Sequence, residues 1–296
     1  MTDPVVFLTA CQAEDLPAAR LMIHSLRRFG GELAGCPVWV FSRDAQACRC
    51  LEDERTRVLP LVLPEVLATI PFGEKAAACA QAEQIAGGQV GTLVWIDPAC
   101  LVVQPPLGFV LEAGAQAAFR PVHIRNVGLP PGEPLDAFWT GIHQAVGVED
   151  TPTTVTSFVD GQLLRTYFNS HAFAINPALG LMGRWSTLLQ SLAGDAHFMA
   201  SACADPRHRT FLFQALLSTL VAASLGADQV RLLPPTYNYP YHLQGQIAPP
   251  QRAGRINALV CLTCEEHSLH PQALSGIGVD EPLKSWLVSR MEEPGI

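Results

Sequence analysis

Short unbroken apolar runs alternate with longer stretches of helical period along this chain. "PVVFLTA" (Pro4 to Ala10) is β-rich and ends in small and polar residues. In the following "AEDLPAARLMIHSLRRFGG", Leu16, Ala19, Ile23, Leu26 and Phe29 recur at helical spacing before a glycine pair. "CPVWVFS" (Cys36 to Ser42) is apolar throughout, as a strand covered on both faces should be. This β-α-β start predicts a parallel sheet with a right-handed crossover.

The pattern continues in the same way. "RVLPLVLP" predicts a strand, and "GEKAAACAQAEQIAGG" (Gly73 to Gly88) a helix closed by glycines. "TLVWID" is the most hydrophobic strand candidate and so the expected centre of the sheet, with "QAAFRPV" (Gln116 to Val122) as its neighbour. "EPLDAFWTGIHQAVGV" reads as helix, and "YFNSHAFAINPALGLMGRWSTLLQSL" as strand then helix. After the apolar helix at "FLFQALLSTLVAASLG" come a short strand and proline-rich loop, a last strand in "INALVCLTC" and a helix around "EPLKSWLVSRM". The expected fold class is α/β: a mostly parallel central sheet flanked by helices, in one domain over residues 1–296 with an elaboration from about residue 230. There is no internal repeat or low-complexity linker.

Composition narrows the partners. The chain has 296 residues, is 49% hydrophobic and 16% charged, which fits a folded protein and not a disordered one. A net charge of -8 without a run of Lys and Arg disfavours nucleic acid or an anionic membrane. The apolar stretch from Phe211 to Gly226 falls short of about twenty residues and carries Gln214, Ser218 and Thr219, so a buried helix is expected there and no membrane span. The N-terminus lacks the basic segment of a signal peptide. Nine cysteines without an export signal then read as reduced thiols, and the expected location is cytoplasmic.

Candidate chemistry begins at Asp97, a carboxylate at the end of the central strand, where open parallel sheets collect ligands. Alone it is a weak signal, because Asp before Pro98 is also a turn former. Lys75 starts the preceding helix, as a phosphate contact or as a solvated helix-end lysine. "FRPVHIRNVG" gathers Arg120, His123, Arg125 and Asn126, and guanidinium groups match phosphate in bidentate geometry. Asp160 and Arg165 flank a "DG" that reads better as a hairpin turn. Asn169 and Asn238 are candidates for sugar or base hydroxyls, against a reading as buried turn amides. Trp95, Trp139 and Trp185 sit in periodic apolar stretches and are expected in the core. "CLTCEEHSLH" holds Cys261, Cys264, His267 and His270; a continuous helix would not let four such ligands converge, so ordinary thiols and surface histidines are preferred over zinc. Cys48 and Cys50 read likewise as ordinary thiols. No Gly-x-Ser-x-Gly elbow or Walker loop occurs, and the "GIG" near the end is misplaced for a dinucleotide fold.

Four segments in order resemble the GT-A glycosyltransferases, the nucleotide-diphospho-sugar transferases. "VVFLTACQAEDLPAARLMIHSLRRFG" is similar to their nucleotide-binding start, and "EKAAACAQAEQIAGGQVGTLVWIDPACLVVQPP" to their helix, strand and acidic turn. "YFNSHAFAINP" resembles a segment that contacts sugar or acceptor, and "LLPPTYNY" a late Leu-Pro-x-x-Tyr-Asn element. The likeness runs roughly from Pro4 to Leu269. It implies transfer of a sugar from a nucleoside-diphosphate sugar to an unknown acceptor, with Asp97, Asn169 and His171 as catalytic candidates. Thr9, Ala10, Lys75, Arg120, Arg125 and Asn238 would bind substrate. A divalent metal, manganese or magnesium, would sit on Asp97 with His267 or His270. Two departures bear on this: Ala99 stands where the Asp-x-Asp motif has its second acid, and His171 where glycine is common. The loss at Ala99 favours, as the alternative, a non-catalytic protein that binds a nucleotide sugar or glycan on the same scaffold. A nucleotidyltransferase is disfavoured, since "TACQAEDLPAAR" offers no Gly-rich basic loop.

Overall fold

The computed structural model describes residues 4–112, 114–263 and 277–291. Strand β1 (Val5–Ala10) leads into helix α1 (Leu16–Phe29), whose early Pro17 occupies a position where a helix lacks an N–H partner anyway. Strands β2 (Val38–Ser42) and β3 (Thr56–Pro60) follow, then the one-turn α2 (Glu65–Ala68) and α3 (Gly73–Ala86). Strands β4 (Thr92–Ile96), β5 (Cys100–Val102) and β6 (Ala117–Pro121) precede α4 (Ala137–Val146), which the Asp136 side chain caps by accepting from the Trp139 amide. A hairpin of β7 (Thr154–Thr156) and β8 (Leu163–Arg165) comes before β9 (Phe168–Ile175). Helices α5 (Leu181–Gly194), α6 (Ala196–Ser201) and α7 (Pro206–Ser224) follow. Short strands β10 (Val230–Leu232), β11 (Tyr239–Pro240) and β12 (Cys261–Thr263) and helix α8 (Leu283–Met291) complete the described chain.

Seven strands form the central sheet in the order β10-β6-β9-β4-β1-β2-β3. Every pairing is parallel except the two made by β9, which runs against β4 on one side and β6 on the other. The expected α/β class with a mostly parallel sheet is therefore what the chain adopts. The expected pairing of "QAAFRPV" with "TLVWID" is corrected: β9 stands between them, its eight-residue backbone pairing with both edges at once. This insertion matters for the site. An antiparallel strand brings its beginning, Phe168 to His171, to the same edge as the end of β4.

Alternation along the strands distributes side chains between two cores. Val6 and Leu8 of β1, with Leu93 and Trp95 of β4, pack under α3, α4, α5 and α7. Val5 and Phe7, with Val94 and Ile96, pack under Ala19, Met22, Ile23 and Leu26 of α1. Trp95, Trp139 and Trp185 are all buried. A third cluster joins the small sheet β11-β12-β5 to α8 through Leu101, Tyr239, Leu262, Leu283 and Leu287. No helix among the described residues is long and apolar enough to cross a membrane.

Helix α3 packs along α5 and ties down its start: Glu83 accepts from the Met182 and Gly183 amides at 3.0 and 2.8 Å. These are first-turn N–H groups with no partner inside their own helix. Glu83→Ala is expected to cost about 1–2 kcal/mol, read as a lower urea midpoint at unchanged slope.

Candidate functional site

A cavity of about 800 Å³ opens where β1 and β4 end and β9 begins. Ala10, Asp15, Lys75, Asp97, Asn169 and His171 are among its lining residues. The Asp97 amide donates to the His171 carbonyl at 2.7 Å, so the sheet register itself places these two side by side.

Asp97 is fully engaged by donors. Lys75 Nζ lies 2.9 Å from Oδ1 and 3.0 Å from Oδ2. Trp95 Nε1 donates to Oδ1 at 2.8 Å, and His171 Nδ1 is 2.8 Å from Oδ2. Lys75 also donates to the Ser170 carbonyl at 2.9 Å, and its ammonium sits 5.2–5.5 Å from the ring centroids of Trp95, Phe213 and Phe72. Only 4% of Lys75 and 9% of Asp97 is exposed, so this is a buried ion pair with every partner in place. Burial raises the Asp97 pKa, but the Lys75 charge and the His171 bond outweigh it and hold it below the ordinary carboxylate value.

Phe72, just ahead of α3, carries strain. It has φ 61°, a left-handed conformation costly for a bulky residue, and is half exposed against Phe213 at 4.9 Å. Nothing in its local sequence marked it. The same holds for Phe211 and Gln214, read as ordinary residues of the apolar helix and now found lining the cavity. At the mouth, Glu74 pairs with Arg43 at 2.9 Å and accepts from Gln12. Burial raises the pKa of neighbouring Asp15. Lys75 is the sole Lys or Arg among the described lining residues, and Asp97 already takes its charge.

Behind this wall lies a polar network. Arg120 Nη1 donates to His123 Nδ1 at 2.6 Å and to the Asn238 carbonyl at 2.7 Å. His123 Nε2 is 3.1 Å from Asn169 Nδ2, while Asn169 Oδ1 accepts from the His171 amide and from Asn238 Nδ2. The Arg120 guanidinium can only donate, so Nδ1 of His123 accepts and is left without a proton. Burial first, then the Arg120 charge, pushes its pKa well below the ordinary value and keeps it neutral.

The structure brings Ala10, Lys75, Asp97, Asn169 and His171 together, and adds His123. Thr9 is buried beside Ala10, its hydroxyl without a partner among the described residues. Asn238 is fully buried at φ 47° and holds Asn169 and the Ala172 carbonyl, so it supports the wall from behind and does not line the cavity. Two more of the expected substrate-binding residues do not line the main cavity. Arg120 lines a different cavity, drawn there by His123 and Asn238. Arg125 braces a turn through Glu133 and the Gly128 carbonyl and lines a smaller neighbouring cavity. Arg165 is held by Asp150 and two carbonyls, and Asp160 closes the hairpin turn expected of its "DG". Cys264, His267 and His270 lie outside the described residues. Cys261 is buried against Asn238, and burial pushes its thiol pKa up to about 12.

The described residues do not fit a divalent ion at Asp97. Both carboxylate oxygens are bound by an ammonium and two ring N–H groups, Ala99 has no oxygen to add, and no group of three described His, Cys, Asp or Glu side chains is arranged around a common point.

No family model and no curated protein matches the sequence. Solved structures do. An active-site mutant of LgtC aligns at 11% identity over 97% of this chain and 95% of its own, with a TM-score of 0.51. The fold is that of the GT-A glycosyltransferases. The galactosyltransferase LgtC in complex with donor and acceptor sugar analogues aligns at 13% identity, covering 98% and 97% of the two chains, with a TM-score of 0.49. Mouse xyloside xylosyltransferase 1 aligns at 14% identity over 90% and 99%, at 0.46. At such identity the likeness is one of fold.

Removing Lys75 strands a buried carboxylate. Lys75→Met is expected to cost about 3–5 kcal/mol, and Lys75→Met with Asp97→Asn to recover much of it; chemical denaturation of the three proteins measures both. Because the folded pKa of Asp97 is depressed, its contribution is present above the unfolded value and lost as pH falls through the folded one. Below the ordinary carboxylate range the wild type should therefore lose stability more steeply than Asp97→Asn.

Proposed function

We propose that this protein transfers a sugar from a nucleoside-diphosphate sugar to an acceptor hydroxyl, without a metal clamped between positions 97 and 99. The observation that carries the reading is the cavity at the strand ends of a GT-A fold, with Asp97 and His171 side by side in its wall. In the net reaction the acceptor oxygen bonds to the anomeric carbon as the bond to the diphosphate oxygen breaks. The electron pair leaves on the diphosphate, and the acceptor proton is released to the diphosphate or solvent.

The chain's own groups divide this work. Asp97 holds His171 through Nδ1, which in the neutral ring makes Nε2 the accepting nitrogen for a substrate hydroxyl. Asn169 presents an amide from the same strand. Residues 73–75 at the start of α3 line the cavity, and the positive end of that helix offsets charge on the leaving diphosphate. Lys75 keeps Asp97 ionised, which fixes the dyad.

A second reading, a non-catalytic nucleotide-sugar binding protein, draws on one specific observation: the position of a metal-binding acid is closed by Lys75, and Ala99 cannot replace it.

One experiment separates the two. A thermal-shift panel of UDP- and GDP-sugars, each with manganese and with EDTA, is paired with measurement of nucleoside-diphosphate release. Transfer without metal predicts equal stabilisation in EDTA, measurable release, and about 10²-fold slower release in His171→Ala at little cost in melting temperature. Stabilisation with no release from any donor selects the binding protein. Stabilisation that requires manganese overturns the metal-free arrangement, and no stabilisation by any donor overturns both readings.

A further inference from the structure

We infer that a second cavity, lined by Arg120, Phe158 and the β7-β8 hairpin, is an oxyanion-binding site separate from the main cavity. Its volume is about 400 Å³, and none of its lining residues is shared with the main one.

Arg120 is the reason. Its side chain is 1% exposed, yet it makes no ion pair among the described residues. Nη1 is bonded to two neutral acceptors, His123 Nδ1 and the Asn238 carbonyl, while Nη2 is buried with no hydrogen-bond partner among the described residues. An unpaired charge and an orphaned N–H are each unfavourable when buried, and native interiors rarely keep both without a compensating group. Burial lowers the guanidinium pKa to about 9, so it is still charged at neutral pH and still lacks a counter-ion.

The surroundings are built to present that cation. The guanidinium carbon lies over the Phe158 ring, 4.7 Å from its centroid, and Phe158 lines the same cavity. Asp160 also lines it but is not the missing partner: one oxygen accepts from the Ser157 hydroxyl and the other from the Arg125 amide at 2.8 Å. Thr156 and Gln251, both exposed on its walls, supply further polar groups, and Leu233, Pro235 and Ala248 an apolar side. The chemistry that fits is one oxyanion, accepted by a planar guanidinium, carried on a small organic body. Because Nη1 holds His123, the occupant would sit directly behind the wall of the main cavity.

The test is a titration of the full chain with inorganic phosphate, sulfate and acetate in low-salt buffer, followed by thermal shift and calorimetry. Saturable stabilisation by at least one is expected, with affinity reduced about thirtyfold or more in Arg120→Gln. Thr156→Glu, an exposed position, places a carboxylate on the cavity wall and should weaken binding while the fold is retained, so the proposal stays testable if Arg120→Gln does not fold. Asp97→Asn should leave anion binding unchanged. A response to phosphate and sulfate assigns a tetrahedral anion, and a response to acetate a carboxylate. Absence of saturable binding, equal binding by wild type and Thr156→Glu, or loss of binding in Asp97→Asn would overturn the assignment.

Discussion

The pair formed by Lys75 and Asp97 is the constraint around which the site is arranged. It joins the start of α3, the end of the central strand β4 and, through the Ser170 carbonyl and His171, the beginning of β9. A buried ion pair adds little net stability over a well-packed apolar pair, but losing one partner is costly. Its consequence here is positional. With three donors on its oxygens Asp97 cannot turn towards a ligand, so it acts by orienting His171 and by keeping the ammonium within its ring of aromatic side chains.

Strand β9 sets the second feature of the molecule. Because it runs against β4 and β6, residues 169–171 reach the edge at which parallel strands end. Asn169 then meets Asn238 and His123, and His123 meets Arg120. One polar wall thereby separates the main cavity from the smaller one beside the hairpin. Each amide and ring in it is held by a neighbour. Asn238, at positive φ, is the residue for which that backbone conformation is least costly after glycine.

Much of the fold was legible in the chain. The apolar runs at Val5, Val38 and Thr92 are β1, β2 and β4, the periodic stretch at Leu16 is α1, and the alanine-rich segment is α3. Those patterns are local, and burial on one or both faces writes them directly into successive residues. Asp97 at a strand end, and Asn169 and His171 in one segment, were readable as candidates, and all three line the main cavity.

Partnership was not legible. Lys75 and Asp97 are 22 residues apart, Asp97 and His171 are 74 apart, and Lys75 and Ser170 are 95 apart. No period in the sequence encodes such pairings. Residue types alone made Arg120 and Arg125 candidates for the nucleotide phosphates, whereas packing put one behind the wall and the other on a turn. The sequence by itself determined which segments are strands and helices and that an acid ends the central one, since these follow from local periodicity. Only the tertiary structure decided that a lysine neutralises that acid and that an arginine is buried unpaired, because both depend on which distant strand lies beside β4 and β6.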